Sequence, residues 1–141
     1  MTAKLLQKEL MIPSDPKHLR DVRSMVREAC ETAGIKGRDG RLLVLAVDEA
    51  VTSIVTHARD TNRQGDVRVL VDINETRFRA FIEDFTNHTD SSALSEMELA
   101  ACLDQERKHQ LGVFLMREIM DEVTYTYKRG FQNDLELIKF L

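Results

Sequence analysis

From Arg41 to Ala58 the chain runs without Gly or Pro, and Leu43, Val47, Ala50, Val51, Ile54 and Ala58 recur at the spacing of one helical face. This predicts a helix over 41–58 with a single apolar stripe that must be buried. Shortly afterwards the period changes from helical to two. Gly65-Asp66 opens a segment in which Val67, Val69, Val71 and Ile73 fall on one side and Asp66, Arg68, Leu70 and Asp72 on the other, the pattern of a half-buried strand. Asn74-Glu75-Thr76 supplies a turn, and Phe78, Ala80 and Ile82 resume the alternation, so a β-hairpin is expected. A helix with one apolar stripe and a hairpin with one apolar face each need a cover, and packing one on the other meets both needs.

The flanking segments extend that layered plan. Leu5 to Ile12 reads as an edge strand that stops at Pro13, and Ser14-Asp15-Pro16 reads as the cap of a helix over Pro16 to Thr32, with Leu19, Val22, Val26 and Ala29 at helical spacing. Leu111 to Met120 is an apolar helix. Asp121-Glu122 then turns the chain into a strand over Val123 to Tyr127, and after a turn at Arg129-Gly130 the chain closes with a strand from Leu135 to Phe140. The order is β α α β β α β β. It predicts one α+β domain over residues 1–141, a two-layer sandwich whose mixed, mostly antiparallel sheet carries its helices on one face. Between Phe85 and Gln110 the periodicity lapses. There, with Ala93 to Leu103 partly helical, a mobile excursion of the lid kind is expected.

Charge narrows the function. With 20 Lys and Arg against 24 Asp and Glu, a net charge of −4, and no Trp, the chain lacks the basic, aromatic surface that tracks a phosphate backbone, so nucleic acid is not an expected partner. No apolar run approaches the ~20 residues of a membrane helix, and a cytoplasmic setting is the default expectation. Cys30 and Cys102 stand far apart and without metal-ligand spacing, which makes them reduced core residues.

Four positions carry possible chemistry. Glu49 and Ser53 lie four residues apart on the 41–58 helix, and Thr56 and His57 continue the same polar stripe. Asp84 ends the hairpin, and Gly112 opens the third helix, where free amide groups attract anions. On residue type alone the stripe is equally a solvated helix face, Asp84 a strand-end cap, and Gly112 a helix start.

The order of these residues adds more. Leu45-Ala46-Val47-Asp48-Glu49-Ala50-Val51-Thr52-Ser53-Ile54-Val55-Thr56-His57-Ala58 resembles the helix motif of the anti-sigma factor serine kinases, within the GHKL superfamily of histidine-kinase-like ATPases. Gln110 to Val123 is similar to their second glycine box, and Asn133 to Leu141 to their closing strand, so that the resemblance spans Leu5 to Leu141. It implies a Bergerat-type sandwich that holds ATP between helices and sheet, in a dimeric serine kinase that clasps a sigma factor. It also implies roles. Glu49 takes the place of the base that receives the proton of the attacking hydroxyl, and Asp84 that of the carboxylate beside the adenine amino group. Ser53 replaces an Asn that helps hold magnesium, and Gly112 is the glycine left in the second box. The family continues its Asp with x-Gly-x-Gly, whereas Asp84 is followed by Phe85-Thr86-Asn87-His88; Gln110 replaces a further glycine, and the Thr of the adenine wall is missing near Asn133-Asp134. The resemblance therefore implies an anti-sigma-type regulator of bacterial partner switching whose grip on ATP and Mg2+ is weakened or lost. The alternative is an active ATP-dependent kinase acting on an anti-anti-sigma factor. A sigma factor or a small anti-anti-sigma protein of the STAS type is the implied partner.

Overall fold

A computed structural model describes residues 6–60, 62–86, 110–126 and 133–141, with the side chains of 110–114 left aside. Strand β1 (Leu6–Pro13) is followed by a short 3-10 turn (Pro16–His18), helices α1 (Leu19–Thr32) and α2 (Gly37–Asp60), and the hairpin β2 (Asp66–Ile73) and β3 (Arg77–Asp84). Helix α3 (Gln110–Ile119) and strands β4 (Glu122–Thr126) and β5 (Asn133–Phe140) complete the described chain. The five strands form one sheet in the order β1-β2-β3-β5-β4. Every described pairing is antiparallel, so the described sheet is not mixed but wholly antiparallel.

The alternation seen in the sequence sets which face is covered. Val67, Val69, Val71, Phe78, Ala80, Ile82 and Leu137 are fully buried, together with Val22, Val26 and Ala29 of α1 and Ala46, Val47, Val51 and Val55 of α2. Each such Val or Leu contributes roughly 1.5–3 kcal/mol on leaving water, so helix–sheet contact is the main source of stability. The opposite face is a ladder of charge. Arg68 bonds Glu9 at 2.6 Å and also Glu83, while Arg79 bonds Asp72 at 2.9 Å and Glu136 at 2.7 Å.

Element ends follow local chemistry. Asp15 Oδ1 accepts the Lys17 N–H at 3.0 Å, as the capping reading required, although the first turn is 3-10 and the α-helix proper begins at Leu19. Pro13 is the last residue of β1, tolerated because that strand is an edge. At the end of α1, Gly34 with φ +81° lets its N–H reach Glu31 O at 3.1 Å and the Ile35 N–H reach Cys30 O at 2.8 Å, a Schellman cap. Helix α2 starts at Gly37, four residues ahead of its expected start at Arg41, because Gly40 is a packing residue and not a break. A Cβ at Gly40 would lie 2.9 Å from Ile35 O.

Cys30 is buried and unbridged, and burial, with Glu31 beside it, pushes its thiol up to about 11, as suits a reduced core residue. No helix among the described residues is long and apolar enough to cross a membrane. Of the expected excursion from Phe85 to Gln110, residues 87–109, with the partly helical stretch Ala93–Leu103, His88 and Cys102, lie outside the described residues, as does the turn at Arg129-Gly130.

Candidate functional site

Glu49, Ser53 and His57 occupy successive i, i+4 positions of α2, so they form one stripe about 12 Å long at 1.5 Å per residue. Burial of Ala46, Val47, Ala50, Val51, Val55 and Ala58 against the core sets the rotation of the helix and leaves this stripe at its margin. All three residues are half-buried. Asp48, next in chain to Glu49, is held by Arg23 of α1 at 3.1 Å. Glu49 and Ser53 make no side-chain hydrogen bond or ion pair with the described residues, so a carboxylate and a hydroxyl stand ready on one helix face.

Asp84 is the last residue of the central strand β3. It lies opposite Val67 of β2 and Asn133 of β5, on the side of the sheet that the helices cover. Its carboxylate caps the strand end. Oδ1 accepts the Thr86 N–H at 2.9 Å and the Thr86 hydroxyl at 2.5 Å, and Thr86 itself is only 3% exposed. Both bonds land on one oxygen, and they leave Oδ2 as the open acceptor.

Electrostatics ties this strand end to the helix. Burial pushes the Asp84 carboxyl above its ordinary value, while the Thr86 bonds and the nearby His57 and Arg63 pull it back. Burial likewise pushes the His57 imidazole below its ordinary value, with Arg63 acting the same way and Asp84 and Asp60 opposing. The described structure therefore brings His57 and Asp84 into one field, with Ser53 and Glu49 one and two turns further along α2. Helical spacing from Ser53 was the signal that marked His57, which a sequence reading leaves as a solvated imidazole. Thr86 and Asn133 carried no signal beyond standing where the related sequences keep other residues.

The backbone around Asp84 is set by a close approach. A Cβ on Gly65 would stand 2.7 Å from Phe85 O and 2.8 Å from Thr86 Cα, so only glycine lets the chain leaving β3 settle there. The Phe85 N–H donates to Asp66 O at 3.0 Å and the Ser14 N–H to Gly65 O at 3.0 Å, which fixes the crossing on both sides.

Gly112 falls in the first turn of α3, which packs on α2. Among the described residues no group of three or more His, Cys, Asp or Glu is placed to hold a metal ion. The arrangement thus offers a carboxylate acceptor at the strand end, and a hydroxyl and a carboxylate on the helix.

Comparison with known proteins gives the family. The chain is 28% identical over 127 residues to the serine-protein kinase RsbW of Staphylococcus aureus strain JH9, covering 86% of this chain and 80% of that protein, with the same figures for strain Newman. Among solved structures, a chain of the SiaB-SiaC complex from Pseudomonas aeruginosa superposes with a TM-score of 0.65 at 13% identity, over 92% of this chain and 88% of that one. Residues 12–139 match the model of the histidine kinase-like ATPase domain, so the chain belongs to the histidine kinase-like ATPase family.

Proposed function

We propose that the protein is an anti-sigma-type regulator of bacterial partner switching, which holds a sigma factor or a small anti-anti-sigma protein of the STAS type and binds Mg-ATP weakly in the cleft between α2 and β3. What supports this reading is an Asp84 that stands where the resemblance puts the adenine carboxylate, within motifs that depart from the family pattern at both the base and the phosphate end. Asp84 stands on the helix-covered side at the end of β3 with Oδ2 open, which fits the amino group of adenine. At the other end Ser53 offers one short-reaching hydroxyl where an Asn side chain would extend further, and Gly112 is the single glycine of the second box. Magnesium takes oxygen ligands and draws most of them from phosphates and water, so Ser53 fits as a minor ligand. When bound, Mg-ATP supplies the transferable phosphoryl group.

Sequence similarity to a serine-protein kinase supports the partner class, and the RsbW likeness spans most of both chains. The decisive experiment is copurification with a candidate sigma factor and with STAS-type proteins, in the presence and absence of Mg-ATP. Recovery of one of them without nucleotide supports a protein that acts by occupancy; recovery of neither under either condition contradicts it.

One observation favours retained catalysis as a second reading. Glu49 is half-buried and without an ion pair among the described residues, while its neighbour Asp48 is engaged by Arg23. A free carboxylate in that place accepts the proton of an attacking serine hydroxyl. Under this reading Glu49→Ala abolishes phosphate transfer to an anti-anti-sigma protein and leaves nucleotide binding in place; normal transfer by that variant rules out Glu49 as the base.

A further inference from the structure

Where α1 ends and α2 begins, the two helices and the turn between them border a cavity of about 360 Å3. Small-molecule sites run from about 300 to 1,000 Å3, so this one is large enough to hold a ligand. Cys30 of α1, Ile35 of the turn and Val44 of α2 give it apolar walls. The Cys30 thiol, pushed up to about 11 by burial, stays neutral and adds no charge. Two glycines of α2 leave bare backbone in the lining. Gly37 has open space where a Cβ would stand, whereas Gly40 holds α2 so close to the turn that a Cβ would be 2.9 Å from Ile35 O.

The charges at this cavity lack counterparts. Arg27 comes from α1 and Arg41 from α2, and neither makes a hydrogen bond or an ion pair with the described residues. By contrast, Arg23, Arg68, Arg77 and Arg79 are each engaged by a carboxylate. Against the two guanidinium groups the lining sets the carboxylate of Glu31, so its side chains sum to +1. The first-turn N–H groups of α2 add partial positive charge at the same end. Arg41 and Ser53 are twelve residues apart on α2, about 18 Å along the helix axis, so the cavity lies apart from the Ser53–His57 end of that helix.

We propose that this cavity is a second binding site, for a small organic monocarboxylate whose head lies between Arg27 and Arg41 and whose apolar body packs against Ile35, Val44 and Cys30. A guanidinium meets a carboxylate through paired N–H donors, and the excess charge of the lining matches a single negative head. An uncharged apolar ligand leaves both arginines unanswered, and a cation meets net repulsion. Because the occupant touches both α1 and α2, it stabilises the folded state in which they are packed together.

The test uses the whole protein with sodium octanoate as the probe, and octylammonium and 1-octanol as controls of equal chain length. Methyl NMR follows Ile35 and Val44, and thermal unfolding follows stability. Octanoate is expected to shift both methyl signals saturably and to raise the unfolding temperature, while neither control does so at the same concentration. Arg27→Gln and Arg41→Gln are each expected to weaken octanoate binding about tenfold, in keeping with the loss of a hydrogen bond between charged groups. Both side chains are exposed, so neither change is expected to alter the unfolding temperature of the free protein. Arg27→Glu combined with Arg41→Glu is expected to pass the preference to octylammonium. An equal response to octanoate and 1-octanol overturns the proposal, because it reduces the cavity to an apolar surface. The absence of a saturable shift, or octanoate binding unchanged in both glutamine variants, overturns it as well.

Discussion

Gly65 lies against the carbonyl of Phe85 so closely that a methyl group there would be 2.7 Å from the oxygen. The contact fixes where the chain turns after β3, and hence where the Asp84 carboxylate is held. Gly65→Ala is expected to lower stability by about 2 kcal/mol, the cost of forcing a methyl group into packed backbone. It is also expected to weaken nucleotide binding, because the Phe85–Thr86 peptide that bonds Asp84 must shift. Denaturant unfolding and nucleotide titration of the same variant check both. A variant of wild-type stability would show that the loop yields freely.

Protonation of the cleft has a defined sign. Burial holds the folded-state His57 below the ordinary imidazole value of 6.5, so as pH falls through 6.5 the unfolded chain takes up a proton that the folded chain refuses, and stability drops. Asp84 works in the opposite direction but nearer its ordinary 3.8: burial raises its folded value, so its ionisation costs the fold stability as pH rises from there. Unfolding free energy measured on either side of pH 6.5 is expected to fall toward acid in the wild type, and His57→Gln is expected to flatten that step. A step of the same size in His57→Gln would place its origin elsewhere.

Ser53 sits in the middle of the α2 stripe, between Glu49 and His57, with its hydroxyl unused by the described residues. Ser53→Asn lengthens the side chain and supplies a carbonyl oxygen suited to a hard cation. The expected outcome is a several-fold gain in magnesium-dependent ATP affinity, corresponding to about 1 kcal/mol. Unchanged affinity, with and without magnesium, would show that this position does not face the metal.

Much of this fold is readable in the order of residues, and the reasons are local. Val67, Val69, Val71 and Ile73 alternate because one face of β2 is covered, and all four are buried. The start of α2 was not readable in the same way. Gly37 and Gly40 look like chain breaks until the carbonyl of Ile35 is seen 2.9 Å from where a Cβ of Gly40 would be. Glycine has one signature in sequence and two uses in structure, a left-handed turn at Gly34 and a close contact at Gly40. On α2, Glu49 and Ser53 stand out by their helical spacing. The Thr86 bonds to Asp84 and the approach of His57 to the strand end do not, because each depends on which elements pack together and not on any period along the chain.

The most direct test is titration of the purified protein with ATP, with and without magnesium, in wild type and in Asp84→Ala. Weak binding that needs magnesium and disappears in Asp84→Ala is the expected result for a nucleotide site that keeps Asp84 but departs from the family pattern around it. Tight binding would contradict the weakened grip, and binding that survives in Asp84→Ala, or no binding at all, would contradict the nucleotide site.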